Sequence, residues 1–157
     1  MSTHTKTLYI IAGPTGVGKT AIAIALAQKL GTAVISADSR QCYQEMNIGT
    51  AKPSVEQLQA VKHYFIDDLP VIIQFTAADY ESSALKYLAE VFTGNGSAVV
   101  CGGTGLYIKA LIEGLDEMPP VNELIVKETE NDYNLHGLSW LQAAVQKEDP
   151  EFFQHPL

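Results

Sequence analysis

Between an apolar run, Thr7–Ala12 (TLYIIA), and a helix-prone run, Lys19–Leu30 (KTAIAIALAQKL), the chain places GPTGVGKT at residues 13–20. This order constrains the fold more than any other feature. A short β-rich run with no polar alternation suits a strand buried on both faces, which means a parallel sheet. The glycines let backbone N–H groups turn inward around an anion, and the following helix adds its positive N-terminus. Gly13, Pro14, Thr15, Gly16, Val17, Gly18, Lys19 and Thr20 fill the pattern G-x-x-x-x-G-K-[ST] completely. Lys19 supplies a point charge for phosphate, and Thr20 supplies a hydroxyl for Mg²⁺. A chance Gly-rich turn would not need a strand before it and a helix after it. The loop implies a site for a diphosphate or triphosphate.

The alternation continues along the chain. Ala33–Ser36 (AVIS) reads as a second buried strand, ending at Asp38, and a turn-rich stretch follows it. Ser54–Gln57 is a capping-box match opening a helix to about Ala60, and His63–Ile66 reads as a third strand. Thr76 caps a helix predicted to reach about Thr93; Ala98–Cys101 is a strand that runs into Gly102-Gly103-Thr104. Leu106–Leu115 reads as helical, stopping near Gly114. Strands alternating with helices predict an α/β fold, P-loop NTPase-like, with a parallel sheet covered on both faces. Ligands in such sheets bind beyond the carboxyl ends of the strands, where the phosphate loop, Asp38 and Thr104 converge. After Met118-Pro119-Pro120 the texture changes to two amphipathic acidic segments, about 121–134 and 138–148, joined around Gly137. The predicted organisation is an incomplete α/β core over 1–119 and a helical region over 120–157.

Composition narrows the class. With 46% hydrophobic and 18% charged residues, the 157-residue chain is neither disordered nor membrane-spanning, and it has no long apolar run. Its N-terminus lacks the apolar length of a signal peptide. Cys42 and Cys101 have no metal-ligand spacing, and reduced thiols in a cytoplasmic protein are expected. The net charge of −8 is unevenly placed: residues 1–115 hold eight Lys/Arg and nine Asp/Glu, residues 116–157 two and nine. The first part is nearly neutral, while the tail repels nucleic-acid phosphates.

By the loop alone, a small ATP-dependent kinase is the natural reading. Its Mg²⁺ carboxylate would come from a strand end, where Asp38, Asp67 and Asp68 all stand. A longer string points elsewhere. Gly13–Thr20, then Ser36–Pro53 (SADSRQCYQEMNIGTAKP), then Cys101–Tyr107 (CGGTGLY) occur in the order found in the tRNA dimethylallyltransferase (tRNA isopentenyltransferase) family. His63–Asp67, Ala77–Tyr80 and Gly114–Val121 (GLDEMPPV) resemble its less specific connecting pieces. The resemblance spans roughly the whole chain and is most specific between positions 9 and 120.

What the resemblance implies is prenyl transfer. The loop would hold the diphosphate of dimethylallyl diphosphate, and the acceptor would be the exocyclic amine of an adenosine 3′ of the anticodon in tRNA. Loop amides, Lys19 and a Thr20-bound Mg²⁺ would stabilise the leaving diphosphate. Asp38 matches the family's aspartate and would take the proton from the attacking amine; a loop cap or an outer Mg²⁺ ligand is the plainer role. Thr104 matches the threonine that contacts the target nucleotide, a base that must leave its stack to react; capping the next helix is the plainer role. Asp38, Ser39, Arg40 and Gln41 match the segment that touches tRNA, with the Gln41 amide suited to a base edge. Tyr43 and Met46 fit pocket walls, and Lys52 either meets phosphate or is simply exposed. His63, His136 and His155 carry no assigned role.

The chain also departs from that family. Members are longer: they insert a helical tRNA-gripping region and then return to the core with further strands and a diphosphate-binding arginine. This sequence stops inside the insertion, and Val126 stands where a basic residue is common. A fragment, inactive or weakly active, is therefore expected, from a full-length form that is monomeric. Its open sheet edge would favour self-association. A phosphate-binding interaction module and the adenylate isopentenyltransferases are the remaining alternatives; the helical region after Pro120 argues against the latter.

Overall fold

The computed structural model describes residues 5–116 and 121–155. Four strands form one parallel sheet in the order β1-β4-β2-β3: β1 (Thr7–Ala12), β2 (Val34–Ser36), β3 (His63–Tyr64) and β4 (Ser97–Gly102). The helices of this part are α1 (Lys19–Leu30), α2 (Val55–Ala60), α3 (Ala77–Gly94) and α4 (Gly105–Glu113). The expected α/β fold is the observed one, and the reason lies in the strands' side-chain alternation. Val34 and Val99 point to one face, where they pack with Ala23, Ile24 and Ala27 of α1 and with Val61. Ile35, Ala98 and Val100 point to the other, against Tyr80, Ala84 and Leu88 of α3 and Tyr107 of α4. A central strand buried on both faces reads as a continuous apolar run, which is why AVVC and VIS show no alternation.

Most element ends fall within a residue or two of expectation, and one differs for a visible reason. The third strand is predicted over 63–66 but ends at Tyr64. Phe65 turns to φ 62° and donates its N–H to Asp68 Oδ2 at 2.8 Å, and Asp67 follows at φ 57°. A carboxylate three residues ahead outcompetes the ladder for the backbone donor. The turned Phe65 instead joins an aromatic cluster, 4.8 Å from Tyr80 and 5.0 Å from Tyr87 between ring centroids.

The chain divides into two compact units between Leu115 and Asp116. The boundary expected at Pro119–Pro120 lies outside the described residues. The second unit holds α5 (Glu123–Glu148) and α6 (Pro150–Gln154). Gly137 breaks α5 with φ 73° and ψ −168°, so the two predicted segments are two helices meeting at this glycine. The short α6 is not anticipated; it starts with Pro150 after Asp149, whose side chain accepts from Phe152 N. Among the described residues no helix is long and apolar enough to cross a membrane.

Candidate active site

Connections leaving β1 and β4 run to opposite faces of the sheet, so a crevice opens between the carboxyl ends of these neighbouring strands. The phosphate loop follows β1, and Gly102-Gly103-Thr104 closes β4. Gly13, Gly16 and Gly18 hold φ of 155°, 87° and 87°, conformations that a side chain would oppose. Gly102 is required for another reason. A Cβ there would lie 2.1 Å from the carbonyl oxygen of Ala37, so the strand end and the start of the Asp38 turn can approach only through a glycine.

The helix caps separate structural from functional ends. Ser54 and Thr76 close capping boxes on α2 and α3, and Asn122 and Asp149 cap α5 and α6. Only α1 and α4, among the described helices, have no side-chain cap, and both begin at the crevice. Helix α1 also has no acidic residue in its first turn. Its first backbone donors are thereby left for an anion.

Two compartments lie side by side here. The larger, about 320 Å³, is lined by Thr15, Gly16, Gly18, Lys19 and Thr20 of the loop and α1, by Thr50, Ala51 and Gln57, and by Asp38, Gln41, Cys101 and Gly102. The smaller, about 130 Å³, is lined by Gly13, Pro14, Asp38, Ser39, Arg40, Gly103 and Thr104, with Thr15 again. Asp38 and Thr15 are common to both. Lys19 Nζ rests on the carbonyl of Pro14 at 2.7 Å, within the loop it would serve. Burial pushes the Cys101 thiol up; the charge of Lys19 opposes this and that of Asp38 adds to it.

Both plainer readings of the key residues can be judged from these contacts. Asp38 does cap its own turn, its Oδ1 accepting from Arg40 N at 3.0 Å, while facing both compartments. Thr104 occupies the N-cap position of α4 but caps nothing there; its Oγ1 accepts from Ser39 N at 3.0 Å. That bond ties the Asp38 turn to the end of β4. Gln41 also has partners within the protein. Its Oε1 accepts from Ser36 Oγ, and its Nε2 donates to the carbonyls of Thr50 and Ala51. The expectation for Lys52 needs correction, the residue being neither a phosphate ligand nor a loose surface residue. Its Nζ donates to Tyr43 O, Asn47 Oδ1 and Asp67 Oδ1.

Asp67 and Asp68 are thereby accounted for, the first by Lys52 and the second by Phe65 N, and neither lines the larger compartment. Among the described residues no group of three His, Cys, Asp or Glu side chains is placed to hold a metal. Among the residues lining the larger compartment, Thr20 offers a hydroxyl and Asp38 a carboxylate. Such a pair suits a hard cation that takes its remaining ligands from phosphate and water. Sequence reasoning missed Thr50, Ala51 and Gln57 as lining residues, because nothing local in the chain says that this irregular stretch folds back on the loop.

A family model described as "IPP transferase" matches residues 41–156. The tRNA dimethylallyltransferase of Flavobacterium johnsoniae is 42% identical over 149 residues, which are 95% of this chain and 48% of that protein. That of Cytophaga hutchinsonii is 40% identical over 96% of this chain and 50% of its own length. The chain thus spans about half the length of the curated relatives it matches. The structure of the full-length tRNA isopentenylpyrophosphate transferase from Bacillus halodurans is similar with a TM-score of 0.67 and 35% identity, over 95% of this chain and 49% of the other. A eukaryotic dimethylallyltransferase solved while acting on tRNA shares the fold, with a TM-score of 0.77 at 24% identity.

Proposed function

The chain belongs to the IPP transferase family, and from that premise we propose that its two compartments serve the two halves of a prenyl transfer. The donor is dimethylallyl diphosphate, and the acceptor is the exocyclic amine of the adenosine 3′ of the anticodon in tRNA. One observation carries the reading: Asp38 borders both the phosphate compartment and the compartment of Ser39, Arg40 and Thr104.

The chemistry follows from this arrangement. Residues 13–20 hold the diphosphate through loop N–H groups, the open N-terminus of α1 and Lys19. A Mg²⁺ ion accompanying the diphosphate at Thr20 would offset the negative charge that builds on the leaving group. As the allylic carbon–oxygen bond breaks, the electron pair leaves with the diphosphate. The new carbon–nitrogen bond forms on the opposite side, and the nitrogen's proton passes to the Asp38 carboxylate. Thr104 and Ser39 present hydroxyls, and Arg40 a charge, to a base that has left its stack. This reading places the protein in the cytoplasm, with its tRNA.

The kinase reading loses its support at Asp67 and Asp68, which are engaged away from the phosphates. Transfer by these 157 residues alone is slow, because their acidic second unit works against tRNA phosphates. Self-association through an open sheet edge, β1 or β3, is expected, and sedimentation tests it.

The test combines calorimetry with a transfer assay on an anticodon stem-loop. Dimethylallyl diphosphate with Mg²⁺ is expected to bind. Asp38→Asn, which keeps an oxygen for the cation and loses the base, weakens that binding far less than it lowers transfer, which falls roughly 100-fold or more. Hydrolysis of Mg²⁺-ATP, with no binding of the prenyl donor, would return the kinase.

A further inference from the structure

The stretch between β2 and α2 has almost no regular structure, yet Thr50 and Ala51 form the wall of the phosphate compartment facing the loop. Gln41 ties that wall to the sheet. Ser36, 3% exposed at the end of β2, donates its hydroxyl to Gln41 Oε1 at 3.1 Å. Gln41 Nε2 donates to the carbonyls of Thr50 at 3.1 Å and Ala51 at 3.0 Å. The backbone carbonyl of Gln41 accepts from Asp67 N at 3.1 Å. The end of β2, the Asp38 turn, the compartment wall and the turn after β3 are therefore joined through one residue.

The wall needs such a restraint. Ala51 sits at φ 50°, a left-handed conformation that costs a non-glycine residue about 1 kcal/mol or more. It persists only where surrounding contacts determine it. Lys52 adds a second restraint through Tyr43, Asn47 and Asp67, but it does not line the compartment. Among the described residues, Gln41 is the side chain whose hydrogen bonds join Ser36 of β2 to the carbonyls of Thr50 and Ala51.

We propose that Gln41 is a positioning residue of the phosphate compartment, setting the distance between the Thr50–Ala51 wall and the phosphate loop. Its consequence for the transferred carbon rests on the prenyl-transfer reading. Reacting atoms must be held about 3–3.5 Å apart, so a wall free to drift would let the leaving group settle in several places.

The experiment uses the whole 157-residue chain, with inorganic pyrophosphate and Mg²⁺ in a calorimeter and amide hydrogen exchange read segment by segment. Gln41→Met removes both donors at nearly constant length. Gln41→Glu keeps an acceptor for Ser36 and loses the donors. Each is expected to speed exchange over residues 46–53 with β4 amides at Val99 and Val100 unchanged, and Gln41→Met to weaken pyrophosphate by about 10-fold, the worth of one or two hydrogen bonds; Gln41→Glu, which also adds a negative charge to the compartment, is read by exchange alone. Ser36→Ala gives a smaller change of the same kind. Unaltered exchange at 46–53 in Gln41→Met overturns the proposal, as does full pyrophosphate affinity with a loosened wall. Faster exchange that includes Val99 and Val100 makes Gln41 a general packing residue and also overturns it. If the unaltered chain fails to bind pyrophosphate, the functional reading falls, while exchange at 46–53 still decides on Gln41.

Discussion

The two compact units of this chain spend their residues differently. In residues 5–115 the charges nearly cancel, and Val99, Val100, Ile35, Ala84 and Ala98 are completely shielded from water. In residues 121–155 neither helix buries a residue, while Leu124, Leu135, Leu138 and Phe152 stand exposed among an excess of carboxylates. The first unit has enough interior to impose unfavourable local choices, such as three left-handed non-glycine residues and two uncapped helix ends at the site. The second follows local rules throughout, breaking at its glycine and starting helices at Asn122 and Asp149. Chemistry is assembled where tertiary packing can override local preference.

Substitution at one glycine would break this contrast most sharply. Gly102→Ala forces a Cβ into the backbone of Ala37 and is expected to cost about 3 kcal/mol or more, measured by denaturant unfolding of the α/β unit. A cost below 1 kcal/mol would mean that the approach of β4 to the Asp38 turn is easily relaxed. Next in size is Lys19→Met, which removes the loop's only cationic side chain. It should weaken Mg²⁺-pyrophosphate by roughly 10- to 100-fold in calorimetry while leaving the unfolding curve in place.

Thr76→Ala tests a purely structural cap and should cost ~1 kcal/mol, with no effect on phosphate binding. The same box has a pH signature. Hydrogen bonds from Thr76 hold the Asp79 carboxyl below its ordinary value. Its contribution is therefore present above the unfolded carboxylate value, about pH 4, and is lost as pH falls through the lower folded value. Comparing thermal unfolding of wild type and Thr76→Ala between pH 6 and pH 2 should show their difference shrinking at the acid end. The smallest stability effect is expected at Gly137→Ala. Alanine favours a continuous helix by about 1 kcal/mol over glycine, so ellipticity at 222 nm should rise and the α/β unit should unfold as before.

Much of the fold was legible locally. TLYIIA, GPTGVGKT and the helix after it are consecutive, and their meaning depends on neighbours a few residues away. Thr76 with Asp79, and Gly137 between two acidic segments, were readable for the same reason. Capping and glycine conformation act over one turn of chain. Phe65 shows the limit: HYFI has strand composition throughout, but Asp68 takes its N–H. The site was legible only as a set of names. Asp38 and Thr104 could be proposed from motifs, whereas the hydrogen-bond partners of Gln41 and Lys52 were not legible because they lie 5–15 residues off along an irregular path.

By itself, the sequence determined a Gly-rich loop ending in Lys19-Thr20 between a buried strand and a helix, a parallel sheet, and an acidic helical end. Those properties reside in residue type and short-range spacing. The tertiary structure alone decided that Asp38 borders two compartments, that Thr104 holds Ser39 instead of its own helix, and that an irregular stretch becomes a wall of the site. These depend on which strands lie adjacent, and adjacency is set by burying both faces of the sheet at once.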